Sequence, residues 1–242
     1  MAEEIRFSPE ELTGRSSGHI VELTEPPCRL HRAVVQPFLQ LRAAAAVAGM
    51  DLVPLSSFRD FDRQLAIWNG KHRGERALLA VDGSVLDARA LDDEARVEAI
   101  LHWSALPGTS RHHWGTDMDV IDANALPPGY RPRLESDEYA AGGVFARLDA
   151  WLAANAAEHG FYRPYATRRG GVEPEPWHLS YAPLAAVALE QFSVELLREA
   201  FADVDLAARE VVERQLPAIV ARYVCNIDAP PARATTSRTR LA

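Results

Sequence analysis

The run Ser110-Arg-His-His-Trp-Gly-Thr-Asp-Met-Asp119, answered much later by Glu175-Pro-Trp-His178, carries the residue types needed to hold a metal ion and use it. Two imidazoles and a carboxylate can occupy three positions around a zinc ion and leave a further one for water. A second carboxylate beside the last imidazole can accept that water's proton. His112, Asp119 and His178 are the candidate ligands and Glu175 the candidate base. Together they are the minimum equipment for hydrolysing an amide.

The spacing constrains the local structure. His112 and Asp119 lie seven positions apart. On a helix that spacing rises about 10 Å, whereas ligands each about 2 Å from one zinc ion must lie close together. A turn at Gly115 followed by a strand that delivers Asp119 solves the problem. The rival pair, His113 with Asp117, has helical spacing, but Gly115 and the β-leaning Met-Asp-Val-Ile-Asp that follows speak against it. His113 is then expected behind the ligands or on the surface. On a strand Asp117 shares the face of Asp119. There it would hydrogen-bond a ligand or add negative charge near the ion, or else be a solvated strand-end carboxylate. Pro176, between Glu175 and His178, predicts extended, non-helical backbone bent enough to bring the pair together. Trp114 and Trp177 are expected as walls of the site.

Helices and strands must position these groups. Residues 1–27 are polar, end in Pro26-Pro27, and predict an extended lead-in to a domain over 28–228. Within it, Phe38, Leu41, Ala45 and Ala48 mark a helix with Pro37 in its first turn, closing at Gly49. Residues 51–58 read as a strand. Phe61, Leu65 and Trp68 mark a helix that stops at Asn69-Gly70, and the charged residues 71–90 a surface excursion. Asp92 can cap a helix carrying Val97, Ile100 and Leu101 that ends by Pro107-Gly108. Strands are expected at 118–121, 161–165 and 177–182, with a loop over 122–142 and a helical stripe at Val144, Leu148, Trp151 and Leu152 that Gly160 ends. The core motifs thus span 52–182. A helical part over 183–224, broken near Asp203–Asp205, precedes a tail over 229–242 whose Pro/Thr/Arg composition predicts disorder. Helices beside a mainly antiparallel sheet make an α+β fold.

Bulk properties exclude some functions. The 242 residues are 48% hydrophobic and 25% charged, enough for a sizeable core. A net charge of −8 speaks against nucleic acid or an anionic membrane as the main partner. No apolar run of about 18 residues offers a membrane span. The opening MAEEIRFSPEEL lacks the basic-then-apolar profile of a secretory signal, which predicts a cytoplasmic protein. Cys28 and Cys225 fit no metal-finger spacing and are expected as reduced, mostly buried thiols. Nothing in the sequence addresses the oligomeric state.

SSFR, PGTSRHHWGTDMD and EPWHLSY together resemble the zinc D-alanyl-D-alanine carboxypeptidase and dipeptidase family, VanY-like and distantly related to lysostaphin and the hedgehog signalling domain. The resemblance covers roughly residues 28–190. It implies a hedgehog/DD-peptidase-like fold, a Zn2+ cofactor held by His112, Asp119 and His178, and Glu175 as catalytic base. It further implies that Arg59 steadies the developing oxyanion, that Gln64 lies near the substrate, and that Ser110 contacts it. The implied substrate is a peptidoglycan-derived peptide of the D-Ala-D-Ala type. Carboxypeptidase, dipeptidase and L,D-specific or endopeptidase activities all remain open at this point, as does a zinc-bound binding module without activity. Two departures stand out: Asp117, where the family usually has a small residue, and the charged 71–90 insert, which could reshape the cleft mouth.

Overall fold

A computed structural model of the chain describes residues 6–230. The tail expected to be disordered therefore lies almost wholly outside the described residues. Ser8 accepts from the Glu11 N–H while the Glu11 carboxylate accepts from the Ser8 N–H, a capping box that starts α1 (Pro9–Thr13). Strands β1 (Ile20–Thr24) and β2 (Pro27–His31) then pair as an antiparallel hairpin turning at Glu25-Pro26. The expected extended lead-in over 1–27 is thus corrected. Its scattered apolar residues have somewhere to go, because Phe7 and Leu12 are buried in the main core.

Helix α2 (Val35–Val47) buries Phe38, Leu41 and Ala45, and β3 (Leu52–Ser56) follows. Helix α3 (Phe61–His72) is capped by Asp60, which accepts from the Arg63 N–H. It runs through Asn69-Gly70 where a stop was expected. The Asn69 amide donates to the Asp205 carbonyl at 2.6 Å and accepts from the Ala207 N–H at 2.9 Å, so tertiary bonds hold the last turn helical. The 71–90 segment carries a small hairpin, β4 (Leu78–Leu79) with β5 (Val85–Leu86), whose Leu78 is buried. Helix α4 (Asp93–Leu101) has the Asp92 cap and ends well before Pro107.

Strand β6 (Asp117–Asp122) is buried at every residue. The expected 122–142 loop contains a short helix, α5 (Ser136–Tyr139), before α6 (Ala146–Asn155). Strands β7 (Phe161–Tyr162) and β8 (His178–Tyr181) complete a four-stranded antiparallel sheet of order β3-β6-β8-β7. The C-terminal part holds three α-helices where two were expected, α7 (Ala182–Gln191), α8 (Val194–Ala200) and α9 (Arg209–Ile219), with a π-helical turn at Val220–Val224. Ser193 ends the first break by capping α8.

Two cores result, and the fold is α+β as expected. Sheet residues Met118, Val120 and Leu179 pack with α2, α6 and α7 in one. Phe61 and Trp68 of α3 pack with α4, α8 and α9 in the other. Among the described residues no helix is long and apolar enough to cross a membrane. Both cysteines are free, Cys28 buried as expected and Cys225 exposed against expectation, because it follows the last helical turn at the edge of the second core.

Candidate metal centre

The central strand β6 and its neighbour β8 bring the distant motifs together. Asp119 stands directly opposite His178 in the antiparallel register, and Asp117 opposite Ser180. Residues 111–114 form a tight helical turn that ends at Gly115 in the left-handed region, φ 67°. The chain reverses there and enters β6, which places His112 beside Asp119. A Cβ at Gly115 would lie 2.7 Å from the His31 backbone nitrogen and 2.4 Å from Ile20 Cδ1. Gly115→Ala should therefore cost about 1–2 kcal/mol from the backbone conformation alone, and more from the contact with β2. Thermal unfolding measures this, and an unchanged midpoint would show that the turn tolerates a side chain.

His112, Asp119 and His178 are buried, and one ligand atom from each lies within 4.8 Å of the others. His112 Nδ1 donates to the Ser57 carbonyl at 3.0 Å, which leaves Nε2 3.4 Å from Asp119 Oδ2. His178 Nε2 donates to Asp117 Oδ1 at 2.9 Å, which leaves Nδ1 3.2 Å from Asp119 Oδ1. Two ligands each ~2 Å from a tetrahedral ion are themselves separated by ~3.3 Å. Asp119 Oδ1 is buried without a hydrogen-bond partner. The donor set, its spacing and the orphaned oxygen all fit a divalent cation, and each imidazole is held from behind so that its other nitrogen faces the centre.

Glu175 reaches the same point. Its backbone N–H donates to the Tyr165 carbonyl at 2.9 Å, and the His178 N–H donates back to the Glu175 carbonyl at 3.1 Å. This is a β-turn with Pro176 at its second position, tighter than the extended backbone expected. It sets Glu175 Oε2 3.3 Å from His178 Nδ1. The ring of Tyr165 meets that of His178 edge-on, with centroids 5.1 Å apart.

The electrostatics follow from this packing. Burial pushes the His178 imidazolium down, but the hydrogen bond to Asp117 and the adjacent Asp119 and Glu175 carboxylates outweigh it and raise its pKa well above the ordinary range. Burial works against the Asp119 carboxylate, yet His112 and His178 hold its pKa well below normal. Such a concentration of carboxylates stabilises positive charge at its centre, whether carried by a proton or by a cation.

Asp117 is the departure noted in the sequence, and it hydrogen-bonds the candidate ligand His178, the first of the expected alternatives. Its charge is balanced by Arg111, a residue the motif reading passed over. Arg111 Nε donates to Asp117 Oδ1 at 2.8 Å and Nη2 to Ser180 Oγ at 2.7 Å, and the guanidinium lies 4.8 Å from the Trp114 ring centroid. A legible signal existed: a second carboxylate on a buried strand face calls for a cation, and an arginine stands beside the candidate ligand His112. His113 is no ligand and is not on the surface. It is fully buried, donating from Nδ1 to the Arg59 carbonyl at 2.6 Å and accepting at Nε2 from the Gly108 N–H at 3.1 Å. Burial holds its pKa down at about 3, so it clips two loops together as a neutral ring.

A cleft of about 870 Å³ opens over the centre, and Arg59, Ser110, Trp177 and Glu175 line it. Arg59 is fixed on the wall by Nη1 donating to Gln64 Oε1 at 2.8 Å and Nη2 to Ser56 Oγ at 3.3 Å. Gln64, expected near the substrate, is fully buried behind Arg59; its amide donates to the Ala105 carbonyl at 2.6 Å, and Arg59 rather than Gln64 lines the cleft. Trp114 packs in the main core beneath the site, its Nε1 donating to the Leu12 carbonyl at 3.1 Å. The hairpin of the 71–90 segment contributes Leu79, Asp82 and Val85 to the cleft wall, so this segment shapes the opening as the sequence suggested.

The chain is similar to several known proteins. A protein of Haemophilus influenzae of uncharacterized function is 37% identical over 121 residues, 49% of this chain and 92% of that protein. A D-alanyl-D-alanine carboxypeptidase of Enterococcus faecalis is 29% identical over 159 residues, 63% of this chain but only 48% of that protein. Among solved structures, VanYB in complex with D-Alanine-D-Alanine has a TM-score of 0.48 at 21% identity, covering 76% of this chain and 89% of that one. The family model described as VanY, D-alanyl-D-alanine carboxypeptidase, matches residues 27–184. That span takes in Arg59, the turn from His112 to Asp119 and the turn from Glu175 to His178 together, and the chain belongs to the VanY family.

Proposed function

We propose that this protein is a zinc-dependent carboxypeptidase that hydrolyses a D-amino-acid-containing peptide bond of peptidoglycan stem peptides, of the D-Ala-D-Ala type. The observation that carries the reading is the convergence of His112, Asp119 and His178 within 4.8 Å, with Glu175 3.3 Å from His178 on the cleft side. The zinc ion would be held by His112 Nε2, the Asp119 carboxylate and His178 Nδ1, supplying Lewis acidity and an acidified water.

The remaining steps belong to the chain's own residues. Glu175 accepts the proton of the attacking water and returns it to the leaving amine, the reversal of roles usual for a general base. Arg59, held by Gln64 and Ser56, presents a fixed positive charge to the carbonyl oxygen as negative charge develops there. Ser110 and Trp177 line the peptide's path. A free dipeptide would occupy a small part of the about 870 Å³ cleft, which supports a longer stem peptide as substrate.

Mass spectrometry of three peptides incubated with zinc-loaded protein tests the reading: free D-Ala-D-Ala, a pentapeptide stem ending in D-Ala-D-Ala, and an L,D-tetrapeptide. Loss of one D-alanine from the pentapeptide is the expected result, with metal content measured on the same sample. Zinc bound at one equivalent with no cleavage of any of the three would make the protein a binding module.

A further inference from the structure

Lys71 is the single lysine of the chain; the other 25 of its 26 basic residues are arginines. It stands in the last turn of α3, the turn that continues past Asn69-Gly70 because Asn69 is tied to residues 205 and 207. That continuation brings Lys71 to the wall of the catalytic cleft, which it lines together with Arg59 and Glu175. Lys71 is half-buried, and its ammonium has no ion pair or hydrogen bond among the described residues. Burial lowers its pKa, the Glu175 carboxylate acts to raise it, and Arg76 and Arg59 act to lower it further.

The charge balance of the cleft makes this cation informative. Arg111 offsets Asp117. A divalent cation on the proposed centre is offset by Asp119 and Glu175, the two carboxylates that face it. Arg59 and Lys71 make no ion pair among the described residues, and of the other carboxylates lining the cleft Glu135 is paired with Arg133 and Asp82 accepts from Ser84. A half-buried ammonium without a counter-ion is unfavourable, and a lysine offers a compact point charge suited to a carboxylate approaching from solvent.

We propose that Lys71 is a specificity residue that binds a carboxylate of the peptide substrate and so selects acidic over amidated peptides. This rests on the reading of the cleft as a peptidase site. The carboxylate has two sources, the peptide's C-terminal α-carboxylate or an acidic side chain upstream of the scissile bond.

Four probes separate them: acetyl-Glu-D-Ala-D-Ala and acetyl-Gln-D-Ala-D-Ala, each as free acid and as C-terminal amide. Calorimetry on the zinc-loaded full chain carrying Glu175→Ala measures binding without turnover. A charged hydrogen bond lost on Lys71→Met should weaken the peptides that carry the recognised carboxylate by about 10- to 100-fold, and leave those lacking it within twofold. Discrimination lost between acid and amide assigns the α-carboxylate; discrimination lost between Glu and Gln assigns the side chain. Lys71→Arg should restore part of the affinity. With Glu175 intact, Lys71→Met should raise KM on the acidic peptide far more than it lowers kcat.

Equal weakening of all four peptides, no weakening of any, or a kcat loss with a shifted pH profile would overturn the proposal. Carboxylate-dependent binding through Lys71 without cleavage by the parent protein would keep the proposal and remove the peptidase reading. Normal cleavage indifferent to Lys71 would do the reverse.

Discussion

Glu175→Ala is expected to keep its metal and lose about 10²- to 10⁴-fold in turnover, the range for removing a positioned general acid–base. The two properties separate because different atoms support them. His112 is oriented by the Ser57 carbonyl and His178 by Asp117, and neither bond involves Glu175. Asp119 is held in register between β3 and β8. Taking the carboxylate from residue 175 therefore leaves the ligand set standing while removing the group that moves the proton. The Glu175 backbone bonds to Tyr165 and His178 survive the substitution, so the turn persists. Metal content by emission spectroscopy and single-turnover rates on the pentapeptide stem provide the check. A variant that retains both metal and rate would remove Glu175 from the chemistry; one that loses both would make it a structural support.

The second large effect falls on stability. Asp117→Ala leaves the Arg111 guanidinium, buried under Trp114, Tyr162 and Ser180, without its carboxylate. Breaking a buried pair by removing one partner costs about 3–5 kcal/mol. The same substitution frees His178 Nε2, and loss of such an orienting partner lowers metal affinity by about 10–100-fold. A double variant separates the two consequences. Arg111→Met with Asp117→Leu removes both charges together, and replacing a buried pair by apolar groups is often neutral for stability. Chemical denaturation of the metal-free proteins should show the single variant strongly destabilised and the double variant largely recovered. Metal titration should show both weakened, because His178 lacks its carboxylate in each. Recovery of metal affinity in the double variant would mean that Asp117 serves charge balance alone.

Much of the site was legible because metal ligation is demanding about residue type and spacing. Only a reversal near Gly115 could bring His112 to Asp119, and the left-handed glycine there performs it. The β-leaning run after it formed the central strand. Elements with strong apolar periodicity, such as the helix carrying Phe38, Leu41 and Ala45, also followed from local pattern. Local signals failed where distant residues intervened. Asn69-Gly70 looks like a helix stop until residues 205 and 207 take up the Asn69 amide. Residues 1–27 look like a lead-in until Phe7 and Leu12 reach the main core.

By itself the sequence determined which side chains could ligate a cation and which carboxylate could move a proton, since both depend on side-chain chemistry and on short-range turns. Tertiary structure alone decided what stands behind and around them. It gave Asp117 to His178 and Arg111 to Asp117, set Gln64 behind Arg59, buried His113 as a neutral clip, and carried Lys71 onto the cleft wall. The Asp117–His178 bond and the Asn69 bonds that carry Lys71 to the cleft join segments remote in the chain, and the short-range pairs Arg111–Asp117 and Arg59–Gln64 depend on the burial that the rest of the fold supplies. Such pairings arise from packing, which no window of local sequence contains.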